Sequence, residues 1–356
     1  MFGKTISPAT TKISVDLGGD HTRIFDETDG LILDEPSVGL LNMDHRLGGS
    51  KALECFGLDA VEAAPDTSSK RLVSVLQSDI RNPLGYSTAM LRYFFSKLRK
   101  NGRLGRAPVV LLTIPPSIEQ LLTDDLKHAC FAAGASRVHL VDNAISSAIG
   151  AGLAIESSQP HMLLDLGARD ARLYAFQFNE IVAAYSLPFG GRVLDEILAN
   201  GIRERYGLYV SETHAREAKH LVGRAQTRSP EITLDVQQRT SCQMSGLQIN
   251  DNEQVHFTLT TEVACELLQP AIRRGGEALA AAVQALPYQF RDPQQQVAIV
   301  MTGGGAHLPL MDQMVAQVSQ RPVDIAGNPG TTVAHGGAIL LAQIHREVTR
   351  IPSETA

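Results

Sequence analysis

Asp16 and Asp165 each close an apolar run with the same three residues, Asp-Leu-Gly, and lead into a tight turn. The first copy reads Ile13-Ser14-Val15-Asp16-Leu17-Gly18-Gly19-Asp20-His21-Thr22. The second, about 150 residues later, reads Met162-Leu163-Leu164-Asp165-Leu166-Gly167-Ala168-Arg169-Asp170-Ala171. A glycine after the acid lets the backbone approach a phosphate closely and aim N–H groups at it, and an aspartate at a strand end can hold Mg²⁺ through a water. Two such turns so far apart suggest two related halves serving one ligand, a phosphate clamp around a nucleotide. The second copy carries Ala168-Arg169-Asp170-Ala171 where a working clamp would use glycine and hydroxyl residues, so binding and hydrolysis are separate questions. A third glycine run, Gly303-Gly304-Gly305, follows an apolar strand and precedes a helix, a backbone able to lie flat against a planar ligand or a phosphate.

The elements that must position these turns alternate between strand-like and helix-like runs, the pattern of α/β architecture. Strands are expected at Lys12 to Val15, Thr22 to Phe25 and Gly30 to Leu33, followed by an irregular stretch. Helix Thr88 to Lys100, strand Val109 to Ile114, helix Ser117 to Ala133, strand Arg137 to Val141 and helix Ala144 to Ala151 complete the first half. Strands His161 to Asp165, Arg172 to Phe178 and Ile181 to Leu187 then repeat the opening, an internal symmetry. Helices Arg192 to Tyr206 and Ser211 to Val222 precede a polar segment, Gly223 to Asn252, with the composition of an inserted subdomain. Helix Thr260 to Leu286 contains Pro270, which should kink or split it. Strand Val297 to Met301, a helix from Leu308, a short strand near Val323 and a closing helix Val333 to about Val348 follow, and the tail Pro352 to Ala356 looks disordered. Small residues at the start of the closing helix, Ala334, Gly336, Gly337 and Ala338, fit close helix packing. Tyr93-Phe94-Phe95 lies within a periodic helix and reads as core.

Composition narrows the function classes. At 356 residues the chain can hold two domains with substantial cores. Hydrophobic residues at 44% and charged residues at 20% are ordinary for a globular protein. A net charge of -6 gives no basic excess to bind nucleic acid. The basic cluster Lys97, Arg99, Lys100, Arg103 and Arg106 closes a helix, where cations complement the dipole, and reads as a solvated helix end. Cys55, Cys130, Cys242 and Cys265 lack zinc spacing and fit reduced thiols in a cytoplasmic protein. Met1 to Thr11 has no apolar run of a signal peptide, and no stretch approaches the roughly 20 apolar residues of a membrane span.

Several runs, taken in order and spacing, resemble the bacterial actin MreB family of the actin/Hsp70/sugar-kinase superfamily. They are Leu33-Asp34-Glu35-Pro36-Ser37-Val38, Ala148-Ile149-Gly150-Ala151-Gly152-Leu153, Gly190-Gly191 with Asp195-Glu196, Lys219-His220 with Gly223, and Met301-Thr302-Gly303-Gly304-Gly305-Ala306. The resemblance covers nearly the whole chain. It implies an actin-like, duplicated ribonuclease H-like α/β fold, two similar domains around a nucleotide cleft, each with an inserted subdomain. Domain I would take residues 1–145 and 325–356 with its insertion at about 34–75. Domain II would take 146–324 with its insertion at about 188–252. ATP or ADP with Mg²⁺ would be the cofactors, Asp16, Gly18, Gly19 and Thr22 forming the first phosphate loop and Asp165 and Gly167 the second. Gly303, Gly304 and Gly305 would lie on the nucleotide side and Lys219 near the adenosine. Asp16 and Asp165 would hold Mg²⁺ through water.

The departures from the family pattern fall on polar positions. The family glutamate that positions the attacking water aligns with Leu122, which can neither orient water nor accept a proton, a loss worth on the order of 10²- to 10⁴-fold in rate. On the helix Asp124 lies about 200° away from Leu122, whereas Glu119, one turn back, is the candidate substitute. The family's Gly-Gly-Thr-Thr aligns with Ala168 to Ala171. There Asp170 adds a negative charge whose repulsion of a phosphate at about 4 Å is roughly 4 kcal/mol at an effective dielectric near 20. Arg169, Arg172 or Arg23 could offset it, or Asp170 could bind Mg²⁺. A family glutamate on the adenosine-side helix aligns with Arg216, and the acidic pair after Val141 reads Asp142-Asn143.

The resemblance implies a self-associating, cytoplasmic actin-like scaffold that organises cell shape or an envelope-associated process, and the departures imply weakened nucleotide handling with hydrolysis weak or absent. Its partners would be copies of itself and envelope-associated proteins, with no nucleic acid and no transmembrane segment; peripheral membrane contact is open, Met1 to Thr11 lacking an amphipathic helix. Two alternatives stand beside it: a non-polymerising pseudo-ATPase adaptor recruiting a partner through Gly223 to Asn252, and an active ATPase using Glu119.

Overall fold

The computed structural model describes residues 11–42, 52–64, 70–75, 83–115, 120–225, 233–234, 245–248, 254–256, 259–292, 294–308 and 311–350. The chain forms two compact units, residues 1–153 with 331–356, and residues 154–330. The sequence-based boundary at 145/146 falls inside a helix, Asn143–Gly150, that packs against the closing helix Thr332–Arg350 and belongs with it to the first unit.

The first unit is built on a five-stranded sheet, β3-β2-β1-β7-β8. Its strands are β1 (Lys12–Leu17), β2 (His21–Asp26), β3 (Gly30–Pro36), β7 (Val109–Ile114) and β8 (Arg137–Asp142). β1 runs antiparallel to β2 and parallel to β7, and β7 runs parallel to β8. β1 and β7, inside the sheet with both faces covered, read as nearly continuous buried runs, whereas β2 alternates buried and partly exposed residues. Helices α2 (Pro83–Lys100), α3 (Gln120–Ala132) and α4 (Asn143–Gly150) and the closing helix complete the unit. Phe94 and Phe95 are fully buried in its core, beside Ile13, Val15 and Met90.

The stretch expected to be irregular contains a second sheet in the order β5-β4-β6, from β4 (Val38–Asn42), β5 (Leu53–Phe56) and β6 (Lys70–Ser74), with a short helix α1 (Leu58–Glu62). Strands of five, four and five residues are too short for alternation to declare them, and pairing makes them strands. The basic cluster is also not a simple solvated helix end. Lys97 bridges Glu35 at 2.9 Å and Asp59 at 3.0 Å, and Arg99 donates to the carbonyls of Gly105, Arg106 and Ala133.

The second unit repeats the plan with a sheet in the order β11-β10-β9-β17-β18. Its strands are β9 (His161–Leu166), β10 (Ala171–Gln177), β11 (Glu180–Leu187), β17 (Ile299–Thr302) and β18 (Val323–Ile325), with the same antiparallel hairpins and parallel pairings. Helices α5 (Gly191–Tyr206), α6 (Glu212–Ala225), α7 (Thr261–Ala285), α8 (Tyr288–Arg291) and α9 (Met311–Ser319) surround it. In the inserted region, β12 (Leu208–Tyr209), β14 (Ser245–Gln248) and β15 (Gln254–His256) form one small sheet, and β13 (Thr233–Leu234) pairs with β16 (Leu259–Thr260).

Two helix expectations are narrowed by the structure. Of the kink or split expected at Pro270, the split does not occur: α7 runs on through Pro270, which lies on the exposed side of the helix, where the carbonyl its ring leaves unpaired can be hydrated. The helix expected from Leu308 is α9, described from Met311, and a 3₁₀ turn, Gly304–His307, precedes it. The tail Pro352 to Ala356 and residues 1–10 lie outside the described residues. Among the described residues, no helix is long and apolar enough to cross a membrane.

Candidate functional site

Parallel strands end on the same edge of a sheet, and that edge is where α/β sheets collect ligand-handling groups. In the first unit Asp16 is paired with Thr113, and Ile114 with Asp142, so the ends of β1, β7 and β8 gather Asp16, Thr113 and Asp142. Asp142 caps α4, accepting the Ala144 N–H at 2.7 Å. The turn from β1 to β2 is tight: a Cβ at Gly18 would lie 2.5 Å from the carbonyl oxygen of His21. It is pinned from one side by Ser37, whose N–H donates to the Asp20 carbonyl at 2.8 Å and whose hydroxyl donates to the Gly18 carbonyl at 2.7 Å. Thr22, expected among the phosphate-loop residues, is fully buried, its hydroxyl 2.9 Å from that of Ser37. It supports the turn from behind and leaves Asp16, Gly18 and Gly19 as the turn's ligand-side candidates. Glu35, from the same run as Ser37, accepts the Leu58 N–H at 3.2 Å and the Lys97 ammonium at 2.9 Å.

In the second unit Asp165 is paired with Thr302, and the Thr302 hydroxyl lies 3.5 Å from Asp165 Oδ1. Burial raises the pKa of Asp165 to about 6; Asp170 pushes in the same direction, against Arg172 and the bond from Thr302. The turn that follows is occupied by its own residues. Gly167 N–H donates to the Asp170 carbonyl at 3.0 Å, and both Nε and Nη2 of Arg172 lie 2.7 Å from Asp170 Oδ2. The negative charge of Asp170 is therefore offset by Arg172, whereas Arg23 pairs with Asp34 in the first unit at 3.2 Å.

The same turn supplies the cap of α5. The Gly191 N–H donates to the Gly167 carbonyl at 3.1 Å and the Arg192 N–H to the Ala168 carbonyl at 2.6 Å. Gly190 is required by this approach, since a Cβ there would sit 2.5 Å from the Arg169 carbonyl group. Lys219, expected beside an adenosine, is 6% exposed, with its ammonium 2.7 Å from Asp195 Oδ1 and 2.8 Å from the Gly191 carbonyl oxygen. Arg216, one turn earlier on α6, lies 3.6 Å from Asp195 Oδ2. The two cations tie α6 to the start of α5 through a buried carboxylate.

The glycine triplet divides by role. Gly303 has φ +79°, and a Cβ there would sit 2.5 Å from the Leu166 carbonyl oxygen and 2.6 Å from Asp165 Oδ1; at Gly305 it would meet Leu166 Cβ at 2.8 Å. Both serve packing against the end of β9. Gly304 alone has nothing within 4 Å of a Cβ and is the member open to a ligand.

The remaining candidates are placed more coarsely. Leu122 lies in the first turn of α3 as described by its backbone, and Glu119 lies outside the described residues. Asp124 is half-exposed and pairs along α3 with Lys127 at 3.6 Å. Small residues do serve close packing in the closing helix, where a Cβ on Gly336 would overlap the Ser146 carbonyl oxygen. The sequence reading missed Asp195 as the anchor of Lys219, although Arg216 and Lys219 at i and i+3 already marked one helix face turned to an acid. It also passed over the adjacent Asp20 and His21, whose side chains bond at 2.9 Å within the first turn.

Each unit by itself sets an open backbone turn beside a strand-end aspartate, the kind of turn that suits a phosphate: Gly18 and Gly19 after Asp16 in the first, and Gly304 after Thr302, the partner of Asp165, in the second. Among the described residues no cluster of three or more His, Cys, Asp or Glu could hold a metal unaided. A Mg²⁺ ion at Asp16 or Asp165 would therefore take its remaining ligands from phosphate and water.

A family model described as MreB/Mbl protein matches residues 10–349. The chain is 27% identical over 333 residues to the cell shape-determining protein MreB of Escherichia coli (strain K12), covering 93% of each chain. It is 26% identical over 332 residues to the cell shape-determining protein Mbl of Bacillus subtilis (strain 168), covering 92% of this chain and 95% of that one. Among solved structures it resembles MreB5 of Spiroplasma citri bound to AMPPNP (TM-score 0.81, 21% identity, 96% of this chain and 98% of that one). It also resembles the MamK double helical filament (TM-score 0.68, 18% identity, 94% and 99%). The fold is the actin-like one.

Proposed function

We propose that this chain, which belongs to the MreB/Mbl family, assembles with copies of itself into filaments that organise cell shape or an envelope-associated process. It binds ATP or ADP with Mg²⁺ through the Asp16–Gly19 turn and the Asp165–Gly167 turn with Gly304, and turns the nucleotide over slowly or not at all. The names of its relatives support the first part: cell shape-determining proteins by sequence, and a filament and nucleotide-bound proteins by fold.

One observation carries the second part. The turn after Asp165 is closed on itself, its carboxylate taken by Arg172 and its carbonyls by the start of α5, with no hydroxyl between residues 168 and 171. Leu122, where the family glutamate aligns, supplies no group to position water.

The test is calorimetry of the purified chain with Mg·ATP, followed on the same sample by phosphate release and then by sedimentation and electron microscopy. Binding with little release and with sedimenting filaments is expected. Rapid phosphate release overturns the slow-turnover reading, and a strict monomer in every nucleotide state overturns the filament reading. In a chain that binds but does not turn over, Leu122→Glu is expected to raise phosphate release on the order of 10²-fold.

A further inference from the structure

The β2–β3 hairpin and the closing helix enclose a cavity that the nucleotide reading does not use. Ser14 on β1 is paired with Phe25 on β2, and a Cβ on Gly337 of the closing helix would overlap the Ser14 hydroxyl. The helix therefore lies on the face of the sheet that carries Phe25, where it packs on β1, β7 and β2. Farther out on that face, Leu31 of β3 stands opposite Phe25 and keeps 40% of its surface exposed. Between the helix and this edge lies a half-open cavity of about 420 Å³, within the range of small-molecule sites. All of its lining residues belong to the first unit. It sits at the tip of the hairpin, whereas the Asp16 turn joins β1 to β2 at the other end of β2, a strand of six residues or roughly 20 Å away.

The lining is apolar on one side and acidic on the other. Phe25, Ala338 and Ala342 form the apolar wall, and the His335 ring lies against Phe25 with centroids 5.6 Å apart. Asp26 and Glu27 bring the carboxylates. Glu27 is engaged by Lys12 at 2.8 Å. Asp26 is 7% exposed, and its Oδ1 accepts the Thr28 N–H at 2.8 Å, the Thr28 hydroxyl at 2.6 Å and the Asp29 N–H at 3.1 Å. Among the described residues nothing donates to Asp26 Oδ2, and no lysine or arginine lines the cavity. A carboxylate oxygen so nearly removed from water gains most from a charged donor, and the cavity is the side from which one reaches it.

We propose that this cavity binds a small organic ammonium ion with an apolar body, of the kind of an arylalkylamine. The ammonium donates to Asp26 Oδ2, and the apolar body lies on Phe25, Ala338 and Ala342. The acidic polar side disfavours carboxylates and phosphates. The apolar wall disfavours a bare divalent cation, which needs more oxygen ligands than Asp26 and Glu27 offer. The ring face of Phe25 adds attraction for the positive charge.

The experiment is a saturation-transfer NMR titration of the full chain, with phenethylammonium as the probe and phenethyl alcohol, the same body without the charge, as its control. The ammonium should bind saturably and about tenfold or more tightly than the alcohol, the worth of a charge-assisted hydrogen bond. Asp26→Asn keeps an acceptor for Thr28 and Asp29 and should lose most of that selectivity. Ala338→Leu fills the cavity from the helix and should abolish binding of both probes. Excess Mg·ADP should change neither affinity. No saturable binding of phenethylammonium by the unmodified chain, equal affinity for the two probes, or undiminished binding by Ala338→Leu overturns the proposal. Displacement of the probe by Mg·ADP also overturns it while leaving the nucleotide reading standing. Should Asp26→Asn fail to fold, the two probes on the unmodified chain and on Ala338→Leu decide.

Discussion

Asp165 is a carboxylate that this fold keeps at a cost. Its folded-state pKa of about 6 stands above the ordinary 3.8, so its favourable contribution is present below about pH 4 and is lost as the pH rises through about 6. Near neutral pH the charged group opposes folding by an amount on the order of 3 kcal/mol at most. In protein free of nucleotide and Mg²⁺, Asp165→Asn is therefore expected to raise the melting temperature by a few degrees near pH 7.5 and to do little near pH 4; an unchanged melt near pH 7.5 would count against this. Lys219 shows the opposite behaviour. Its ammonium and Asp195 are both almost wholly buried, at 6% and 4% exposure, so removing one charge strands the other with only the longer Arg216 contact. Lys219→Met is expected to cost about 3–5 kcal/mol in urea unfolding, and the double variant with Asp195→Asn should recover much of it. If the single and double variants unfold alike, the pair is not the link between α5 and α6.

Packing between elements is set in places by a single missing methyl group. α4 and the closing helix approach so closely that a Cβ on Gly150 would overlap the Thr332 carbonyl oxygen, while the Ser147 and Thr332 hydroxyls lie 3.0 Å apart. Gly336→Ala is expected to lower stability by about 1–3 kcal/mol through overpacking. Gly304→Ala, in open space, should leave the melt nearly unchanged. Paired thermal melts check both, and equal losses would mean that space does not distinguish the two glycines. An unbroken apolar run such as β7 and a helical period such as that of α2 could be read directly from the chain. β4, β5 and β6 could not, because strands of four or five residues acquire their identity from a partner rather than from their own pattern. The split at Pro270 failed to appear for a related reason: its cost depends on whether the freed carbonyl faces water, which sequence does not record.

The two units differ in how the chain builds them. Residues 154–330 are continuous and carry their own sheet and core, whereas the first unit is completed only when residues 331–356 return to it. The fragment 154–330 expressed alone is therefore expected to be soluble and to unfold cooperatively. Residues 1–153 without the closing helix should aggregate, with the small-residue face of α4 uncovered. Far-UV circular dichroism on melting decides, and a disordered 154–330 fragment would show that the second unit depends on the first.

What the sequence determined by itself was the duplication, the strand–turn–strand openings around Asp16 and Asp165, and the glycines that such close approaches demand. These are local consequences of periodicity and of backbone sterics, written in neighbouring residues. The tertiary structure alone decided what the polar side chains do. It gave Thr22 to Ser37, Asp170 to Arg172, Lys219 to Asp195 and Gly191, and two of the three glycines at 303–305 to the end of β9. A buried polar group must be satisfied by whatever the fold brings within about 3 Å, and apart from Arg172, two residues from Asp170, those partners lie well apart along the chain.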